Sequence, residues 1–131
     1  MAEFEKPKHG EICWQELNTK DLSAATEFYA QLFGWQPEQA KTTGLPYKEI
    51  HTNGRAVGGM TEINDCWGEH WQQIPSYWLT YMAVDDIAES IEKIKTHGGS
   101  VRVEPFEAPG VGKMSVVLDP GGIAFSIIQF A

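Results

Sequence analysis

Glu16 is the side chain in this sequence best placed to do chemistry. It stands in an extended stretch, residues 11–18, whose alternation puts Trp14, Glu16 and Asn18 on one face. A carboxylate turned inward from a strand must be paired, hydrated or protonated. Three roles are open to it: general base, counter-ion of a cationic ligand, or partner of Lys113 in a structural pair. Binding or catalysis is preferred. Glu49 and His51 share a face of a later strand. With Glu16 they offer three donors for a displaced metal, or else they face solvent on a hairpin. Cys66 and His70 are spaced four apart, which fits one helical face or a loose ligand pair. A structural zinc needs four ligands and no second pair is visible, so a surface loop is the favoured reading. Ser126 has no His that the sequence places beside it, so it is not assigned as a nucleophile. His9 and His97 read as terminal and helix-capping, and take no chemistry.

The elements that must hold these groups occur twice. Asp21 starts a helix that stops at Gly34, and Asp86 starts one that stops at Gly98-Gly99. Asp21 and Asp86 are 65 residues apart, as are Gly34 and Gly99. In the first helix Leu22, Ala25, Tyr29, Leu32 and Phe33 recur on one face; in the second, Ile87, Ile91 and Ile94 do. Asp86 and Glu89 make a capping-box pattern. Each helix follows one strand (11–18, then 78–84) and precedes three short ones. The first set is 35–38, 47–51 and 55–62, with turns at Thr43-Gly44 and Asn53-Gly54; the second is 100–103, 113–118 and 123–130. Residues 64–75 have no clear period and separate the copies.

Bulk properties narrow the partners. The chain has 131 residues and a net charge of −8, from 18 acids against 10 bases. That argues against nucleic acid and anionic membrane, which are gripped by clustered Lys and Arg. A neutral or cationic small ligand stays open. Cys13 and Cys66 do not make a disulfide framework. No window has the apolar length of a membrane span, and residues 1–7 lack the apolar core of a signal peptide. The expected location is the cytoplasm.

Several short motifs carry a resemblance. They are Asp21-Leu22 with Phe28-Tyr29 and Phe33-Gly34-Trp35, then Val84-Asp85-Asp86-Ile87, His97-Gly98-Gly99 and Asp119-Pro120-Gly121-Gly122. In this order, over nearly the whole chain, they resemble the vicinal oxygen chelate superfamily of glyoxalase I, bleomycin-resistance proteins and extradiol dioxygenases. The resemblance implies an α+β fold of two tandem βαβββ modules, forming a curved mixed sheet around a central cavity, in a homodimer. One domain over 1–131 is expected, with module one at about 10–62, module two at about 76–131 and a loop at 63–75.

Metal-using relatives place one ligand on each of four strands. Carried over, these positions fall on Trp14, Gly58, Leu79 and Ser126. Trp and Leu bring no donor, Gly has no side chain, and a neutral Ser hydroxyl is a poor sole ligand. A slip of one residue, to Cys13, Gln15, Thr80 or Ile127, turns to the other sheet face. Neither metal nor cofactor is expected. Alternation instead gives a mostly apolar lining: Trp14, Glu16, Asn18, Ala56, Gly58, Met60, Leu79, Tyr81, Ala83, Ala124, Ser126 and Ile128. Lys113, Ser115 and Val117 join it or take the opposite face. Glu49 and His51 are added as candidate ligand contacts, and the loop with Trp67 and Trp71 is a candidate cover. Trp14 and Tyr81 also fit as plain core. Three functions are weighed: a metal-free binder of a small organic ligand, a metal-free acid–base enzyme (isomerase, lyase or epoxide-opening) using Glu16, and a metal-dependent lyase or dioxygenase with relocated ligands. The first is preferred.

Overall fold

The structure is a computed structural model that describes residues 6–39, 47–63 and 74–131. The turn expected at Thr43-Gly44 and the loop residues Cys66, Trp67, His70 and Trp71 lie outside the described residues. The elements are β1 (Ile12–Thr19), α1 (Leu22–Phe33), β2 (Gln36–Gln39), β3 (Tyr47–Thr52), β4 (Arg55–Glu62), β5 (Tyr77–Ala83), α2 (Ile87–Thr96), β6 (Ser100–Ala108), β7 (Gly112–Leu118) and β8 (Ala124–Phe130). This is the expected α+β sequence of two βαβββ modules. The chain divides into two compact units, Trp14–Leu79 and a second built from residues up to Cys13 with Thr80–Ala131.

In the first unit the strand order is β2-β3-β4-β1. The two hairpins β2/β3 and β3/β4 are antiparallel, and β4 pairs β1 in parallel. A parallel pair needs a crossover, and α1 supplies it. Asp21 accepts a hydrogen bond from the Ala24 N–H at 3.0 Å, which satisfies a donor that the first turn leaves orphaned. Gly34 closes the helix at φ 72°, donating its N–H to the Ala30 carbonyl. Asn53 and Gly54 both take positive φ, as a tight hairpin turn between β3 and β4 requires. Leu22 packs with Leu17, Ile50 and Met60, flanked by Ala25, Tyr29, Trp35 and Val57. Leu32 and Phe33, expected on the same buried stripe, are instead exposed.

The second unit repeats the order as β6-β7-β8-β5, again with two antiparallel pairs and one parallel pair. Asp86 caps α2 through the Glu89 N–H at 3.1 Å. Ile87 and Ile91 bury against Val117 and Ile127, with Val84, Ile94, Val101 and Phe125 around them. The residues just before β1 join this unit, the Ala83 N–H donating to the Glu11 carbonyl at 2.9 Å. β6 runs on to Ala108, past the expected stop at residue 103. It is the last strand in its order, where Pro105 is tolerated, and its pairing slips twice on the way. Among the described residues no helix is long and apolar enough to cross a membrane.

Gly112 tests how tightly β7 and β8 are joined. Its φ is +150°, and a Cβ there would run into the Gln129 carbonyl and the Phe130 Cα, both backbone atoms. Gly112→Ala is expected to lose about 1–3 kcal/mol of stability, read as a lower urea midpoint at unchanged slope. An unchanged midpoint would show that the strand end relaxes freely.

Candidate functional site

β1 separates its side chains by period two. Leu17 turns to α1, so Glu16 and Asn18 turn to the opposite face. There Glu16 is 7% exposed and Asn18 0%. The pairing sets Glu16 beside Gly59 and Asn18 beside Thr61 on β4, and Glu49 beside Gly59 on β3. A line of three residues, Glu16, Gly59 and Glu49, therefore crosses three strands of the first unit.

Tyr47 is the group that sequence reasoning missed. It lies two residues before Glu49 and shares its face. Its phenol rests on Gly59, where any Cβ would collide with the ring and hydroxyl. The indole N–H of Trp14 donates to the Tyr47 oxygen at 2.9 Å. The Tyr47 hydroxyl in turn hydrogen-bonds Glu16. The result is a chain from indole to phenol to carboxylate. Burial, followed by the nearby Glu16 charge, pushes the Tyr47 pKa far above the usual phenol range. Tyr47 thus stays a neutral donor to Glu16. The alternation on β3 was a usable signal; the small residue beneath the ring belongs to another strand and gave none.

Beside this chain, His51 Nε2 lies 3.2 Å from Glu49 and 3.4 Å from Glu38. Glu49 and His51 therefore do come together, and β2 adds Glu38, which the sequence reading omitted. The Asn18 amide nitrogen reaches only its neighbour's backbone, the Glu16 carbonyl at 3.5 Å. Its Oδ1 is buried with no hydrogen-bond partner among the described residues. A buried acceptor of this kind calls for a donor, which water or a bound ligand can supply.

The expected lining needs correction on β4. Met60 is fully buried in the α1 core, with its sulfur 3.9 Å from the Thr26 hydroxyl, and does not join Glu16. Gly58 sits against the Gln15 carbonyl and Ile50 on that same side. Gly59 and Thr61 take the Glu16 face instead. A β-bulge causes the reversal. Ile50 opposes Gly58 but His51 opposes Ala56, so Val57 is extra. Counting from the Asn53-Gly54 turn through that extra residue exchanges the two faces.

The remaining candidates are placed as follows. Leu79 is buried. In the second unit Tyr81 and Ser126 are buried and directly paired. The Ser126 hydroxyl donates to the Ser115 carbonyl at 3.0 Å, so it is already engaged. Lys113 is exposed and pairs with Gln129, whose side chain accepts from the α2 backbone. Lys113, Ser115 and Val117 thus take the α2 face, the second of the two assignments left open.

The superfamily's metal does not fit these residues. With the bulge corrected, the β4 position falls on Gly59, which has no more donor than Gly58. Among the described residues no three His, Cys, Asp or Glu gather as a metal would need, so Glu16 does not join Glu49 and His51 in a ligand set.

The raised Tyr47 pKa carries a sign. Stability from this shift is complete below the ordinary phenol pKa of about 10 and is lost as pH rises above it. In a near-ultraviolet alkaline titration of the folded protein, Tyr47 is expected to stay silent among the four tyrosines. Tyr47→Phe should then leave the amplitude of the folded-state transition unchanged. A smaller amplitude in the variant would mean that Tyr47 ionises normally.

Comparison with known proteins gives the family. Residues 11–127 match the family model described as the Glyoxalase/Bleomycin resistance protein/Dioxygenase superfamily. CFP32 of Mycobacterium bovis, named as a glyoxylase, is 34% identical over 98% of this chain and 49% of its own length. The anthracycline biosynthesis protein DnrV of Streptomyces peucetius is 29% identical over 90% of this chain and 46% of its own. The chain thus spans about half the length of these curated relatives. Among solved structures, a methylmalonyl-CoA epimerase from Streptomyces coelicolor superposes with a TM-score of 0.64 at 16% identity, covering 94% of this chain and 99% of that one. That likeness speaks to the fold. The matched span, the repeated βαβββ modules and the 34% identity to CFP32 make this chain a member of the glyoxalase/bleomycin resistance/dioxygenase superfamily.

Proposed function

We propose that this protein binds a small organic ligand, without metal, on the sheet face of its first unit that carries Glu16, Asn18 and Tyr47. The observation that carries the reading is the Asn18 Oδ1, buried and without a partner among the described residues, two residues along the same face from a buried carboxylate. Both are acceptors. Glu49 and Glu38 add two more carboxylates at the margin, around His51. The ligand this favours presents hydrogen-bond donors, as an amine or a polyhydroxylated compound does. The chain's overall negative charge favours a cationic one. Tyr47 holds Glu16 in one orientation, so less ordering is left for the moment of binding.

A second reading shares the site. Some relatives are named for lyases, and several fold neighbours for an epimerase. In this reading Glu16 takes a proton from bound ligand as a general base, with Tyr47 and Trp14 holding its orientation. The two readings part on whether bound ligand turns over.

Glu16→Gln keeps an acceptor for Tyr47 but removes the charge. A panel of small amines and polyols screened by thermal shift is expected to yield a compound that raises the melting temperature of the native protein. In Glu16→Gln its affinity should fall about tenfold or more, the scale of a charge-assisted hydrogen bond. Equal affinity in both proteins would remove Glu16 from the site. Turnover of the compound by the native protein and not by Glu16→Gln would select the enzyme. Chelator treatment is expected to leave the melting temperature unchanged, whereas a clear drop would restore the metal reading.

A further inference from the structure

The other face of β1 borders a hollow of its own. Gln15 alternates with Glu16 and so turns with Leu17 to the α1 side of the sheet, away from the carboxylates. There a cavity of ≈ 320 Å³ is lined by Gln15, Trp35, Ile50, Val57, Gly58 and Trp78. All six belong to the first unit. None is charged, and Gln15 is the one polar side chain among them. Ile50 is buried in the core under α1 and Val57 packs against that core, so this side of the cavity is held in place. A Cβ at Gly58 would meet the Gln15 carbonyl and the Ile50 side chain, so the glycine lets β1 and β4 lie close beneath the hollow.

Two of its walls are indoles. Trp35 and Trp78 stand at 87° to each other with ring centroids 6.3 Å apart. Tyr29 of α1 braces both, lying within 16° of parallel to Trp35 at 5.2 Å and meeting Trp78 edge-on at 5.7 Å. The corner is thus held at a right angle, yet Trp78 stays 39% exposed. The internal repeat shows that folding does not require it. Directly after the helix-stopping glycine, module one has Trp35 and module two has Ser100. The helices differ in the same sense: α2 carries Glu89, Glu92, Lys93 and Lys95, whereas Glu27 is the one charged residue of α1, whose Phe28 and Phe33 are exposed.

We infer that this hollow is a second binding site, one for a small, neutral, flat aromatic compound. Aromatic pairs gain most in offset-stacked or edge-to-face geometry. Two indoles at a right angle let one flat ligand do both at once, stacking on one ring while its edge meets the other. A saturated compound of the same skeleton is too thick to stack and gains through buried area alone. The cavity sets the size, because pockets for drug-sized ligands begin at about 300 Å³. An uncharged lining offers nothing to offset the water that an ion would lose, so the ligand is neutral. Gln15 supplies an amide, which donates to or accepts from one polar group on the ligand. The sheet separates this site from the Glu16 face, and neither assignment depends on the other.

Naphthol serves as the probe and decalol, its fully saturated analogue, as the control. Calorimetry on the intact native chain is expected to show saturable naphthol binding below about 1 mM, with tryptophan fluorescence changing in step. Decalol should bind about tenfold more weakly. Trp78→Leu keeps an apolar strand residue but removes one wall, and should weaken naphthol binding about tenfold while circular dichroism stays native. Phe106→Leu, at an exposed ring of the second unit, should leave binding unchanged. Should Trp78→Leu misfold, the comparison of naphthol with decalol on the native chain decides. The inference is overturned if naphthol does not bind saturably in that range, or if decalol binds equally well. It also fails if Trp78→Leu leaves binding intact or Phe106→Leu removes it. Naphthol affinity that rises as the protein is diluted would mean that a second copy fills the hollow, and overturns it too.

Discussion

The site rests on the two-sidedness of β1. Leu17 buries against α1, and a regularly paired strand sends adjacent side chains to opposite faces. Glu16 and Asn18 are thereby committed to the other side, along with the energetic demand of burying a carboxylate and an amide. Tyr47 meets that demand in part, by donating to Glu16 while accepting from Trp14. The phenol fits because β4 offers Gly59 beneath it. A single glycine, through the space it leaves, decides where a tyrosine lies and hence how a glutamate is oriented.

Duplication explains the frame and differs in the details. Both modules use an aspartate cap, a crossover helix and two antiparallel hairpins, and both bury a helix stripe on one sheet face. The opposite faces have diverged. The first module carries Glu16, Tyr47, Glu49 and His51 there, and the second carries Tyr81 and Ser126, its hydroxyl tied to a backbone carbonyl. The outer helix surfaces have diverged as well, charged on α2 and aromatic on α1. Neither difference disturbs the fold, because the cores that stabilise each module are built from the shared stripe.

Much of the architecture was legible because its signals are local. Asp21, Gly34, Asp86 and Asn53-Gly54 act on backbone within a few residues, through hydrogen bonds and allowed dihedrals. The repeat spacing made them mutually supporting. The inward turn of Glu16 was equally legible, since alternation needs no more than the strand itself. The β4 lining was not. Its phase passes through an extra residue, Val57, and a bulge is created by how two strands pair, not by either one alone.

The same distinction governs the rest of the site. The chain's own order determined the modules, the caps, the charge and the poverty of metal donors at Trp14, Gly58, Leu79 and Ser126, because these depend on residue types and short spacings. Folding alone decided that Tyr47 bridges Trp14 and Glu16, that Glu38 joins His51 and Glu49, that the Asn18 oxygen is buried without a partner among the described residues, and that Phe28, Leu32 and Phe33 stay exposed. Each of those facts is a distance or an exposure set by residues remote in sequence, and no local pattern encodes them.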